Sequence, residues 1–231
     1  MVMDMKVIAH IRTDFPDKFG VPRQSGIAGG LLGKIVFEEE YRNPDALRGL
    51  EDFTHLWLIW GFSLIEETEG WRPTVRPPRL GGNKRVGVFA TRSPYRPNPI
   101  GLSSVRLEKI DYDAPCAPVI YVSGIDMADN TPIFDIKPYL PYVDSHSDAS
   151  DGFAKDTIDY SLEVCIDEEL KKSVPNDKLE ALIKALSYDP RPSYQNDVDR
   201  VYGMRFVDLE IKFKVEDSKL TVCDIIKASK G

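Results

Sequence analysis

Three prolines within six residues, Pro94, Pro97 and Pro99, restrict the fold of this chain more than any other feature. Each lacks a backbone donor and holds φ at about −65°, so the segment from Arg92 to Gly101 can extend neither a helix nor a sheet ladder. The flanks alternate. Val86, Val88 and Ala90 stand against Gly87, Phe89 and Thr91 on one side, and Ser103, Val105 and Leu107 against Leu102, Ser104 and Arg106 on the other. A period of two predicts a half-buried strand at each end. The unit from Gly81 to Leu107 is therefore strand, stiff extended loop, strand. Its loop presents Arg92, Arg96 and Asn98 with little conformational freedom left to lose.

Other short strands follow from the same period. Lys6–Thr13 places Val7, Ala9 and Ile11 on one face, Leu31–Phe37 forms a second strand, and Asn43 caps a short helix that stops near Gly49. Phe53–Phe62 is apolar on both sides and predicts a central strand covered on each face. Val119–Ile125 and Ile133–Ile136 flank an Asp129-Asn130 turn. Beyond a polar linker, Asp144–Asp159, come a strand at Ser161–Ile166 and a helix over Asp177–Leu186 with a Leu179, Leu182, Ile183, Leu186 stripe. A strand from Val207 to Val215 then turns at Glu216–Lys219 into Leu220–Ile226. Many short strands with few helices predict a mainly β fold: an N-terminal β-barrel over 1–145 and a smaller α+β unit over 146–231.

Charge separates one region from the rest. The chain of 231 residues has a formal net charge of −7, yet Gly70–Arg106 holds eight basic residues and no Asp or Glu, which leaves −15 for the remainder. A basic island on an acidic protein reads as the landing surface of a polyanion. Neither Gly29-Gly30 nor Gly81-Gly82 opens a G-x-G-x-x-G turn, so a Rossmann nucleotide site is not supported. Cys116, Cys165 and Cys223 lack a CxxC spacing, and His10, His55 and His146 lack an HExxH, so no metal site is expected. The longest apolar run, Leu56–Phe62, is too short to span a membrane, and a cytoplasmic location is expected.

Longer motifs carry a resemblance. Trp71-Arg72-Pro73-Thr74-Val75-Arg76-Pro77-Pro78-Arg79-Leu80-Gly81-Gly82, Gly87–Ser93 and Arg96-Pro97-Asn98-Pro99-Ile100-Gly101 closely resemble the TrmO family, also called TsaA-like or YaeB/VirR. Val21-Pro22-Arg23-Gln24, Asp135-Ile136-Lys137-Pro138-Tyr139 and Asp189-Pro190-Arg191-Pro192 are similar to it as well. The resemblance implies a β-barrel methyltransferase that uses S-adenosylmethionine, and a tRNA substrate with threonylcarbamoyladenosine in its anticodon loop. It also implies a homodimer, and the stiff, polar Asp189–Pro192 segment leads us to expect that the C-terminal unit helps to complete a neighbour's site.

Carried over by motif, the cofactor residues are Pro22, Arg23, Gln24, Arg92, Leu102, Asp129, Asn130, Thr131 and Pro132. Phe62 and Ser63 join them, although a more polar pair is expected there in some relatives. Arg72, Arg76, Arg79, Lys84, Arg85, Arg96 and Arg191 are the expected tRNA contacts. Trp71 is placed either to stack on a base or to anchor its loop. Asp129 is the candidate proton acceptor, and no other catalytic residue is identified. The same surface would also suit a tRNA-binding adaptor with a vestigial cofactor pocket.

Overall fold

The computed structural model describes residues 4–26, 30–65, 70–77, 84–157, 160–191 and 197–228. In chain order the first strands are β1 (Ala9–Arg12), β2 (Leu32–Phe37), β3 (His55–Gly61), β4 (Thr74–Val75), β5 (Val86–Gly87), β6 (Ile100–Asp111), β7 (Val119–Ser123) and β8 (Thr131–Pro138). Six of them close into a barrel in the order β1-β2-β7-β6-β3-β8, with β8 returning to β1. In this circular order no barrel strand is an edge strand. Alternation supplies the lining: Ala9, Ile11, Ile35, Leu56, Leu58, Trp60, Val105, Ile120, Val122 and Ile133 all turn inward and are buried. So small a barrel needs small residues opposite large ones. Gly101 meets this need, because a Cβ there would sit 2.1 Å from the Trp60 ring.

Three strand expectations change. β3 is not covered equally on both faces. Leu56, Leu58 and Trp60 fill the barrel, while His55, Trp57 and Ile59 face outward and are half-buried. A barrel strand has one interior side. The outer side is covered locally by the Tyr139 ring, 5.4 Å from that of Trp57, and by Asp144, which accepts from Trp57 Nε1 at 2.9 Å.

The expected strand from Val86 to Ala90 ends at Gly87, and Val88–Ala90 forms a 3-10 turn. Its partner β4 is bounded by Pro73 and Pro77, which cannot donate to a longer ladder. The expected strand from Val207 is the second arm of a hairpin, β10 (Tyr202–Phe206) and β11 (Leu209–Glu216). Val207 lies in the connecting turn at φ +56° and donates its N–H to Asp14 O at 2.7 Å.

β12 (Lys219–Lys227) joins that hairpin, and β9 (Glu163–Cys165) pairs with β12 in parallel. The helices are α1 (Pro141–Asp144), α2 (Glu168–Lys171) and α3 (Asn176–Ser187), and α3 buries Leu182, Ala185 and Leu186. The molecule is thus mainly β, a closed barrel with a smaller α+β part. The segment after β1 joins the two. Phe15 packs edge-on against Phe206 at 5.5 Å between centroids, Asp14 accepts from Lys178 Nζ at 2.6 Å, and Gly20 lies against the Met204 thioether.

Candidate active site

One rim of the barrel gathers three segments: the loop after β1, the proline loop before β6 and the turn between β7 and β8. The first is pinned by Gly26 N donating to Gly124 O at 2.8 Å. The third is pinned to the first, since Asp129 N donates to Phe15 O at 2.7 Å and Asn130 N to Ile11 O at 2.8 Å. The proline loop folds back on itself twice, with Arg96 N donating to Pro94 O at 2.9 Å and Ile100 N to Asn98 O at 2.8 Å. Phe62 N then donates to Pro99 O at 3.0 Å and fastens the loop to the end of β3.

Two expected cofactor motifs meet at this rim: an Arg92 Nη1–H donates to Gln24 Oε1. Pro22 is buried beneath them, while Arg23 is exposed and reaches Arg191 O at 3.5 Å within the same chain. The Asp189–Pro192 arm is expected at a neighbour's site. Its described residues contact their own chain's loop.

The turn between β7 and β8 uses its polar side chains on itself and on β1. Asp129 accepts from Thr13 N at 2.9 Å and pairs with Arg12 at 3.7 Å. Thr131 is buried, and its hydroxyl donates to Ala128 O at 2.9 Å. Asn130 sits exposed at φ +62°, and Pro132 packs beside Gly61. Phe62 packs against Trp60 at 4.4 Å between ring centroids, with Ser63 exposed beyond it. Leu102 does not join this group on the interior: it is 57% exposed on the outer face of β6, opposite Ile59.

A carboxylate that the motifs did not mark lies under the rim. Trp60 Nε1–H donates to Ser103 Oγ at 2.9 Å, and the Ser103 hydroxyl donates to Asp126 Oδ1 at 2.6 Å. Burial pushes the Asp126 carboxyl up from 3.8 to about 6. Hydrogen bonds from Ser103, from the Ser25 amide and from its own amide oppose that rise, as does the Arg92 charge. The available signal was an acidic residue between Ile125 and Met127, both fully buried. Reading Val119–Ile125 as a strand end hid it.

The basic island surrounds the β4–β5 ribbon. Arg72, Arg76, Lys84 and Arg85 are exposed, and none of these four forms an ion pair among the described residues. Arg79 lies outside the described residues. Beside the ribbon, Trp71 and Phe89 are 54% and 69% exposed with ring centroids 6.0 Å apart, so Trp71 does not anchor its loop in the core. Phe89 was missed because the alternation placed it in a strand.

Two arginines are otherwise occupied. Arg96 donates to Thr91 O at 2.9 Å and Ser93 O at 3.4 Å and lies over the Phe89 ring. Arg191 grips Asp189 with two bonds of 2.8 Å, the pair being only 10% and 13% exposed. Burial raises the Asp189 carboxyl, but Arg191 and the Tyr160 hydroxyl outweigh it and hold the group below its ordinary value. Arg191 is therefore a brace, and a phosphate would have to displace Asp189 to reach it.

Among the described residues no three His, Cys, Asp or Glu side chains are grouped to hold a metal ion, and no helix is long and apolar enough to cross a membrane. Residues 10–145 match the tRNA-methyltransferase O N-terminal domain, and residues 158–228 the TrmO C-terminal domain. The chain is 39% identical over 223 residues to a tRNA (adenine(37)-N6)-methyltransferase of Escherichia coli strain K12, covering 93% of this chain and 94% of that protein. It is 32% identical over 145 residues to a probable S-adenosyl-L-methionine-binding protein of Methanothermobacter thermautotrophicus, covering 63% and 96%. A crystal structure of TrmO from Pseudomonas aeruginosa superimposes with a TM-score of 0.79 at 31% identity, covering 99% of this chain and 98% of the other.

Proposed function

The chain belongs to the tRNA-methyltransferase O family, and we propose that it is an S-adenosylmethionine-dependent enzyme that methylates N6 of adenosine 37 in tRNA. The observation that carries this is its 39% identity, across nearly the full length of both chains, to a tRNA (adenine(37)-N6)-methyltransferase. The adaptor reading is not favoured, because relatives of that activity match both parts of the chain. The finer proposal is that the target is threonylcarbamoyladenosine in threonine tRNA, in the cytoplasm, and that the enzyme works as a homodimer. A dimer would cover the outward apolar pair Ile100 and Leu102.

The rim suits the cofactor chemically. Arg92, held by Gln24, and the nearby Arg23 offer guanidinium groups to a carboxylate. Phe62 offers apolar surface, Leu102 would border the site through its backbone and not its outward side chain, and Ser63 and Asn130 offer exposed polar groups. Asp129, Thr131 and Pro132 border the site through the backbone of their turn, since the Asp129 carboxylate and Thr131 hydroxyl are already bonded. When bound, S-adenosylmethionine supplies a methyl group activated on a sulfonium centre. The protein's task is to align that group with the attacking nitrogen and to exclude water.

The exposed cations of the ribbon would meet RNA phosphates, and Trp71 and Phe89 would stack on bases of the loop. Plain adenine N6 gives its lone pair to the ring and is a poor nucleophile. The carbamoyl part of a threonylcarbamoyl group makes that N–H more acidic, and its threonine adds a carboxylate for an arginine to hold. The test is nucleoside mass analysis after incubating the enzyme and S-adenosylmethionine with threonine tRNA isolated with and without the threonylcarbamoyl group. Methylation of the modified tRNA alone is expected. No methylated nucleoside from either removes the reading, and equal methylation of both removes the finer part of it.

A further inference from the structure

The cofactor motifs leave Asp126 without a role, yet its carboxylate accepts from the Ser25 amide in one of the loops that carry them and feels the charge of Arg92 in the other. Behind it, Ser103 on β6 and Trp60 on β3 form a chain of hydrogen bonds of 2.6 and 2.9 Å fixed in the barrel wall. In front of it are the Ser25 amide, next to Gln24, and the positive charge of Arg92. Gln24 and Arg92 in turn are joined to each other. We propose that Asp126 is the positioning residue of the cofactor site: its carboxylate, anchored on the barrel wall, holds the Gln24 and Arg92 loops in register for the ligand.

The inference rests on the methyltransferase reading of this rim. The wall side of the carboxylate is rigid because Trp60 and Ser103 lie in strands paired with each other, and β3 is also paired with β8 on its other edge. The loop side has no strand pairing to set where each loop sits on the wall, however stiff the proline loop is within itself, since neither loop is part of the sheet. A charged acceptor between them converts barrel rigidity into loop position, and a rim placed in advance loses less entropy when a small molecule binds. Asp126 does not touch the reacting atoms in this role. It acts through Ser25, Gln24 and Arg92.

A dependence on pH follows. Arg92 is the charged group facing the carboxyl, and Ser25, Ser103 and Trp60 contribute neutral donors. With the carboxyl pushed up to about 6, roughly one molecule in ten keeps it ionised at about pH 5. If only the ionised form holds the loops, apparent affinity falls about tenfold between about pH 7.5 and about pH 5.

Calorimetric titration of S-adenosylmethionine into the full chain, wild type and Asp126→Asn, across that range is the test, with thermal unfolding to establish that the variant is folded. The wild type is expected to weaken about tenfold toward acid, and the variant to be about tenfold weaker at neutral pH with a flat profile. Equal affinities at neutral pH, or two profiles that fall in parallel, would overturn the role of Asp126. Should the variant not fold, a wild-type affinity constant over the range overturns it equally. A wild type that binds no S-adenosylmethionine at any pH removes the methyltransferase reading itself, and this inference with it.

Discussion

Replacing Asp126 by Asn should stabilise the protein near neutral pH relative to its effect in acid, and the size of the change follows from its surroundings. The carboxyl moves from 3.8 to about 6 because burial penalises its charged form more than Ser103, Ser25 and Arg92 favour it. A raised folded-state value means that the folded protein binds the proton more tightly than the unfolded chain. The associated stability is complete below about pH 3.8 and is lost as pH rises through about 6. The whole span is about 3 kcal/mol, of which about 2 kcal/mol falls between about pH 4.5 and about pH 7.5. Asn has no proton to lose, so whatever its packing costs, that cost does not vary with pH. Urea unfolding of both proteins at the two pH values measures the difference directly. The variant should gain about 2 kcal/mol on the wild type on going from the lower to the higher pH. A difference in stability that stays constant would show that the Asp126 carboxyl titrates alike in the folded and unfolded chains, and the account of its burial would fail.

The ribbon cations make a prediction about salt. Arg76→Gln together with Arg85→Gln should lower the slope of log affinity for tRNA against log salt by about 0.7 to 0.9 for each phosphate that is no longer neutralised, read by filter binding, and an unchanged slope would assign both to shape alone. Phe89→Ala should leave the urea midpoint nearly unchanged, since the ring is exposed, while weakening tRNA binding by about 1–3 kcal/mol. A large loss of stability with unchanged binding would make the ring structural. Gly101→Ala drives a Cβ to 2.1 Å from the Trp60 ring and should cost about 1–3 kcal/mol in urea unfolding, which a wild-type midpoint would refute.

Period-two alternation was enough to read the barrel where one face is buried and turns are conventional. β6 shows this best: Gly101, Ser103 and Val105 are all buried and Leu102 and Arg106 exposed, as the pattern of that stretch requires. Asn43 likewise caps its short helix through a side chain that accepts from Asp45 N at 3.0 Å. Val207 could not be read. A β-branched residue is a poor choice for positive φ, and it is held there by long-range contacts: its own N–H on Asp14, and Phe206 on Phe15. The site was legible as motifs and illegible as bonding. Nothing in Asp129 or Thr131 announces that their polar atoms are committed to Thr13 and Ala128, and nothing in Arg191 announces Asp189 as its partner, because each commitment depends on backbone turns. Asp126 was missed for the opposite reason. Its significance lies in Ser103, 23 residues away, and Trp60, a further 43 residues from Ser103.

The stiffness of the proline loop has a use that its two arginines make plain. Arg92 turns toward the loop after β1 and donates to Gln24, on the side proposed for the cofactor. Arg96 turns the other way, bonds the carbonyls of Thr91 and Ser93, and lies over Phe89 beside the ribbon proposed for RNA. The loop is thus a partition whose opposite sides would meet the two reactants. Methyl transfer needs donor and acceptor held within a few tenths of an ångström of the productive separation, and a flexible partition would spread that distance. Pro94, Pro97 and Pro99 remove backbone freedom, the turns at Pro94–Arg96 and Asn98–Ile100 remove more, and Arg96 fastens the loop to its own carbonyls. On this reading Arg96 contributes to RNA recognition by holding Phe89 and the partition in place, while Arg72, Arg76, Lys84 and Arg85 remain available to phosphates.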